Sequence, residues 1–242
     1  MMFKYITNIS VIFITVIAFP FTVFASENIN DAFKQNTTAI ILASHSMAKP
    51  VERIDVIIRD AIDNIPNAKF FNLDVLDPAN ADLVREHRLA GAPMPLVLVV
   101  VSGTITGGIP AERASTELLL KMIPSPKQLE LIQAVRKGKA AFIIIEKRGS
   151  VLDHDFRKAS EAACQELQGN ALIVEIDKND PVEKEFLALL QLDTSADAPA
   201  MIVTNNHGQV INQFTSPVSV DDLVQAATTI PRGFSCAPGC AH

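Results

Sequence analysis

Two stretches of this sequence repeat one another. FFNLDVLDPANADLVREHRLAGAPMPLVLVVVSG begins at Phe70, and LIVEIDKNDPVEKEFLALLQLDTSADAPAMIVTNNHG begins at Leu172. Asp74 matches Asp177, and Asp77 with Pro78 matches Asp180 with Pro181, at a spacing of 103 residues. Pro95 matches Pro199 at 104, and Gly103 matches Gly208 at 105. A nearly constant spacing across five landmarks reads as a duplicated domain.

Each copy lays out the same elements. An apolar, β-branched strand comes first (39–43 and 141–146), followed by a helix with an apolar stripe (51–62 and 156–167). In the first helix the stripe is Val51, Ile54, Ile57, Ile58 and Ile62. A second strand ends at the matched aspartate (69–74 and 171–177). The Asp-Pro step then opens a short helix, with proline in its first turn. After the second matched proline come a buried strand (96–101 and 201–204), a glycine turn, an edge strand and a final helix. The final helix of the second copy starts at Ser219, Val220, Asp221 and Asp222, close to a capping box. Ser125 and Pro126 start an extra helix running to Lys137, which places the boundary between the copies there. Strands alternating with helices imply an α/β fold in which a mixed sheet is covered on both faces.

The N-terminus reads as an export signal. Lys4 is followed by an uncharged, nearly all-apolar run over 11–24, and Val23 and Ala25 supply the small residues of a cleavage site before Ser26. That run is short for a membrane span, and no later stretch approaches span length. The expected organisation is a signal peptide over 1–25, domain one over 26–124, domain two over 125–230 and a cysteine-containing tail over 231–242. The mature chain is expected in a periplasm or secreted, with no stable span after cleavage.

The formal charge is −6, and the signal removes Lys4 but no acid. An acidic chain without a basic face is a poor partner for nucleic acid. Tryptophan is absent and the single tyrosine, Tyr5, lies in the signal, so no aromatic platform for sugars is visible.

The order of elements resembles the thioredoxin fold over nearly all of the mature chain, as two tandem thioredoxin-like domains. The landmark is the proline directly before the third strand. The resemblance implies that Pro95, after Met94, and Pro199, after Ala198, are the family's cis prolines. It also implies a Cys-x-x-Cys at the end of the first central strand, where a helix N-terminus lowers the thiol pKa. Here the first copy reads Ser44-His45-Ser46-Met47-Ala48-Lys49, so the cysteine positions fall at about Ser46 and Lys49. The second copy reads Lys147-Arg148-Gly149-Ser150, again without cysteine. In this respect the chain is similar to the non-catalytic domains of protein disulfide isomerases, which bind partners or position catalytic neighbours. No conventional thioredoxin active site is present, and the expectation leans away from an enzyme.

Histidines add little. His45 lacks an acid partner at a diagnostic position and reads as a loop residue. Asp153, His154 and Asp155 read as a polar helix start, because adjacent helical residues point apart. His87 and His207 receive no role. Of the three cysteines, Cys164 falls on the apolar stripe with Phe156, Ala163 and Leu167, the pattern of a buried inert thiol.

Cys236 and Cys240 lie in the tail Phe234-Ser235-Cys236-Ala237-Pro238-Gly239-Cys240-Ala241-His242. Pro238 and Gly239 suit the centre of a type II turn, which would bring the two sulfurs together. Three readings stay open. The tail is a redox dithiol or disulfide, with Cys236 and Cys240 as its reactive residues. Alternatively, Cys236, Cys240 and His242 form a soft ligand set for copper or zinc. In the third reading the tail is inert and the chain is a binding scaffold. The Cys-x-x-x-Cys spacing is similar to the motif of thioredoxin-fold copper-delivery factors for cytochrome oxidase, in ligand spacing only. The expected partner is another exported protein.

Overall fold

The computed structural model describes residues 28–49, 51–146, 151–190 and 200–230. The first unit opens with a 3-10 helix, Ile29–Phe33, then runs β1 Thr38–Ser44, α1 Ile54–Asp63 and β2 Lys69–Asp74. The 3-10 turn Pro78–Asn80 leads into α2 Ala81–Glu86, and β3 Leu96–Val101, β4 Thr104–Pro110 and α3 Thr116–Lys121 complete it. The second unit runs α4 Pro126–Arg136, β5 Ala140–Glu146, α5 Val151–Glu166, β6 Ala171–Asp177 and α6 Lys184–Leu189. It closes with β7 Ala200–Thr204, β8 Val210–Phe214 and α7 Val220–Thr228.

Each unit contains one four-stranded mixed sheet. The order is β2-β1-β3-β4 in the first and β6-β5-β7-β8 in the second. In both, the first two strands in sequence are parallel and the remaining pairings antiparallel. The unbroken apolar run of β3 follows from burial on both faces. Leu96, Leu98 and Val100 face one core with Ile41, Phe71 and Leu73. Val97 and Val99 face the other, under Ile54, Ile58 and Ala61 of α1 and Leu119 of α3. In the second unit Phe142 and Ile144 pack under Phe156 and Ala163 of α5 and Leu223 of α7. Ile143 and Ile145 face Phe186 and Leu187 of α6.

The duplication reaches fine local geometry. The antiparallel ladder shifts register at Val99/Val100 in one unit and at Val203/Thr204 in the other. Asp74 Oδ1 accepts from Leu76 N and Asp177 Oδ1 from Asn179 N, both at 2.9 Å. Asp77 Oδ1 accepts from Ala79 N, and Asp180 Oδ1 from Val182 N, again both at 2.9 Å. Ser115 caps α3 and Ser219 caps α7.

Three expected boundaries shift. The helix anticipated over 51–62 starts at Ile54, because Arg53 adopts a left-handed φ of 66° that cannot continue a helix. The helix anticipated over 156–167 starts earlier, at Val151. In the second copy Pro181 lies in a turn and α6 begins only at Lys184. Glu183, at the N-cap of α6 and only 3% exposed, does not cap its own helix but turns its carboxylate to the start of α4. It accepts the Ser125 hydroxyl, and its other oxygen accepts Lys127 N at 3.1 Å.

Candidate functional site

In the first unit three segments converge at one end of the sheet. β1 and β2 run parallel and both leave the sheet there, with Ser44 opposite Asp74 and Val75 N donating to Ser44 O at 2.9 Å. β3 is antiparallel and enters at the same end, with Leu96 opposite Ala43. Pro95 therefore lies beside the loops that follow β1 and β2. The Met94–Pro95 peptide is cis, and Pro95 O accepts Ala111 N at 2.9 Å.

The loop after β1 has neither part of the thiol device that its position implies. Ser46 and Lys49 are exposed and carry no sulfur. A tight turn forms instead, with Ala48 N donating to His45 O at 2.9 Å and His45 Nδ1 accepting Met47 N at 3.2 Å. The helix starts only at Ile54, and no side chain of Arg53 caps it. A helix N-terminus displaced from Ser46 would not lower the pKa of a thiol placed there. His45 is a half-buried turn residue bonded to its own loop.

Apolar side chains stand out at this end. Met47 is 79% exposed and Leu76 58%. The neighbouring Val75 packs into the core, while Leu76 does not. In the second unit Val151, the first residue of α5, and Val182, in the turn before α6, are also exposed, at 78% and 60%. There the loop end also carries Arg157, which reaches Glu146 at 2.5 Å and Glu175 at 2.9 Å. Pro199 lies outside the described residues. His154 and Asp155 are exposed near the start of α5, and among the described residues no cluster of three or more His, Cys, Asp or Glu side chains could hold a metal ion.

Cys164 is a free thiol in the last turn of α5, packed against the core of the second unit. The expectation of a buried thiol needs correction, because this residue is only half-buried. Partial burial still pushes its pKa up, with Glu161 adding to the effect and Lys139 opposing it. A thiol so held is a poor nucleophile near neutral pH. Cys236, Cys240 and His242 lie outside the described residues, as do residues 1–25, where an export signal is expected.

Sequence reasoning overlooked two features. The exposure of Met47 and Leu76 was readable as single apolar residues within polar loops. The pairing of His87 with Phe33 was not: their rings stack at 4.7 Å and 10°, although the residues lie far apart in the chain.

The strand order and strand directions, the same in both units, define a thioredoxin-like fold, and the chain is a tandem of two such domains. No protein-family model and no curated protein matches the chain. Among solved structures it is similar to mitochondrial thioredoxin 3 from Saccharomyces cerevisiae, at 22% identity over 38% of this chain and 80% of that one, with a TM-score of 0.30. It is also similar to the first two thioredoxin domains of Naumovozyma dairenensis Eps1p, at 11% identity over 85% and 95% of the two chains, with a TM-score of 0.30. The zinc-bound form of human ERp44 matches at 14% identity over 82% of this chain and 53% of that one, with a TM-score of 0.33. At such scores the fold assignment rests on strand order and the repeated local geometry. Among the described residues no helix is long and apolar enough to cross a membrane.

Proposed function

We propose that this is an exported, redox-associated docking protein, working in a periplasm or outside the cell. Its two thioredoxin-like units hold a partner protein at their cysteine-free loop ends, and its tail supplies the thiol chemistry. The observation that carries the reading is the exposed pair Met47 and Leu76 on the two loops beside Pro95, where no sulfur is available. Exposed apolar side chains grouped by the fold on one loop cluster suit an unfolded or extended polypeptide better than a small polar substrate.

In this reading one tail thiolate, from Cys236 or Cys240, attacks a disulfide of the docked partner. A mixed disulfide forms and one partner sulfur leaves as a thiol. The second tail thiol then resolves the mixed disulfide, so that the tail ends oxidised and the partner reduced. A second reading rests on the residues of the tail itself. Once reduced, Cys236, Cys240 and His242 offer two thiolates and an imidazole to copper or zinc. Metal analysis of the reduced protein separates the two, since only the second predicts a bound ion that His242→Ala weakens.

The docking half is tested with a fluorescent, reduced and unfolded polypeptide as probe. The double variant Met47→Glu, Leu76→Glu is expected to weaken its binding by roughly ten-fold while leaving thermal stability unchanged, because both side chains are exposed. Binding that is indifferent to both substitutions would refute docking at this end.

A further inference from the structure

The two units end alike. Ser115 caps α3 and Ser219 caps α7, and an Ile-Pro step follows each helix, Ile123-Pro124 in the first unit and Ile230-Pro231 in the second. In the first unit this step leads past the edge strand β4 into α4, which lies against that strand. Arg136 of α4 donates to Ile105 O at 3.1 Å, and within β4 only Gly108 is exposed. β8 holds the same edge place in the second sheet. Among the described residues no strand pairs with its outer side, and Val210, Asn212 and Gln213 are exposed. Its sequence, Val210-Ile211-Asn212-Gln213-Phe214, has neither the charge nor the proline that commonly shields an open edge. We propose that residues 231–242 cover the outer edge of β8, as α4 covers that of β4.

The place where the chain leaves α7 favours this occupant. Asn205 closes the turn between β7 and β8, and its amide donates to Gln209 Oε1 at 2.9 Å and to Thr229 O at 3.1 Å. Thr229 is thereby held beside the first residues of β8, at the end of the sheet where Thr204 faces Val210. Two apolar side chains are exposed there, Val210 at 58% and Ile230 at 71%, and Phe234 is the tail residue that covers them. At ~3.3 Å per residue β8 is roughly 17 Å long. The run from Arg232 to Ala237, bounded by Pro231 and Pro238, is long enough to span it. α7 packs with α5 on one face of the sheet, so a fifth strand parallel to β8 would need a left-handed crossover. The tail therefore lies over the edge without extending the ladder. Cys236 comes to rest near Phe214, where β8 reaches the loop end of its unit. This placement does not depend on whether the tail thiols exchange disulfides or bind a metal.

Two measurements on the mature chain test the placement. Hydrogen exchange compares the full chain with one that ends at Ile230. Loss of the tail is expected to speed exchange of the β8 amides roughly five-fold and to leave those of β4 unchanged. For cross-linking, Cys164→Ser and Cys240→Ser leave Cys236 as the single thiol, and a second is added as Gln213→Cys on β8 or Gln225→Cys on α7, both exposed positions. With oxidised glutathione as oxidant, the intramolecular disulfide is expected to close roughly five-fold faster in the Gln213→Cys variant. A tail that leaves the edge bare reaches both positions, so equal rates would overturn the proposal. Exchange at β8 that ignores the truncation would overturn it as well. Protection of β8 that rises with protein concentration would assign the edge to a second copy of the chain instead.

Discussion

Glu183 shows how one side chain joins separate parts of the second unit. It is buried, its carboxylate takes the Ser125 hydroxyl and the Lys127 amide, and its carbonyl accepts Leu187 N at 2.8 Å. A carboxylate at a helix N-terminus meets both the orphan donors and the positive end of the dipole. Glu183→Ala should therefore cost about 2 kcal/mol, read as a lowered urea midpoint, with Glu183→Gln costing less because it keeps an acceptor. An alanine variant as stable as the parent would show that α4 is held by its apolar face alone. Asn205 has a similar role in the last hairpin. It is fully buried, its amide donates to Gln209 Oε1 at 2.9 Å and Thr229 O at 3.1 Å, and its oxygen accepts two backbone amides at 3.0 Å. The C-terminal end of α7 is thereby fixed immediately before the tail departs.

At the scale of elements, the strands were the most legible part of the sequence. Lys69–Asp74, Leu96–Val101 and Ala171–Asp177 coincide with the runs read from residues alone. Each is an apolar stretch bounded by Asp, Pro or Gly, and sheet burial on both faces leaves little latitude. Helix starts were less legible. The left-handed Arg53 and the diverted carboxylate of Glu183 depend on contacts made after folding, and the apolar stripe of α5 gives no sign of the turn that precedes Phe156. The candidate site was legible in what it lacks, since missing cysteines are visible in any sequence. Its late helix start, its exposed apolar pair and the His87 stack needed three dimensions.

Two glycines separate backbone conformation from space. Gly103 and Gly138 have φ of +77° and +71°. A Cβ at Gly103 would stand 2.6 Å from Phe33 O, whereas at Gly138 nothing lies within 4 Å. Gly138→Ala should cost about 1 kcal/mol, for the left-handed conformation alone. Gly103→Ala should cost roughly 2–4 kcal/mol, because a backbone atom must also move. Equal losses in the two variants, measured by thermal unfolding, would mean that the 3-10 helix carrying Phe33 yields freely.

For the molecule as a whole, the fold and the chemistry come apart. Two thioredoxin-like domains are present, yet the positions of their usual thiols hold Ser46 and Lys49 in one copy and no cysteine in the other. Cys164 is half-buried with a raised pKa, which leaves Cys236 and Cys240 as the candidates for exchange. The decisive measurement is reduction of a small disulfide-bonded protein by the pre-reduced mature chain, with and without residues 236–242. The full chain is expected to transfer one electron pair per molecule, and the truncated chain none, while the truncated chain still binds the unfolded probe. Exchange that survives the truncation would contradict the assignment of the chemistry to the tail and point to Cys164.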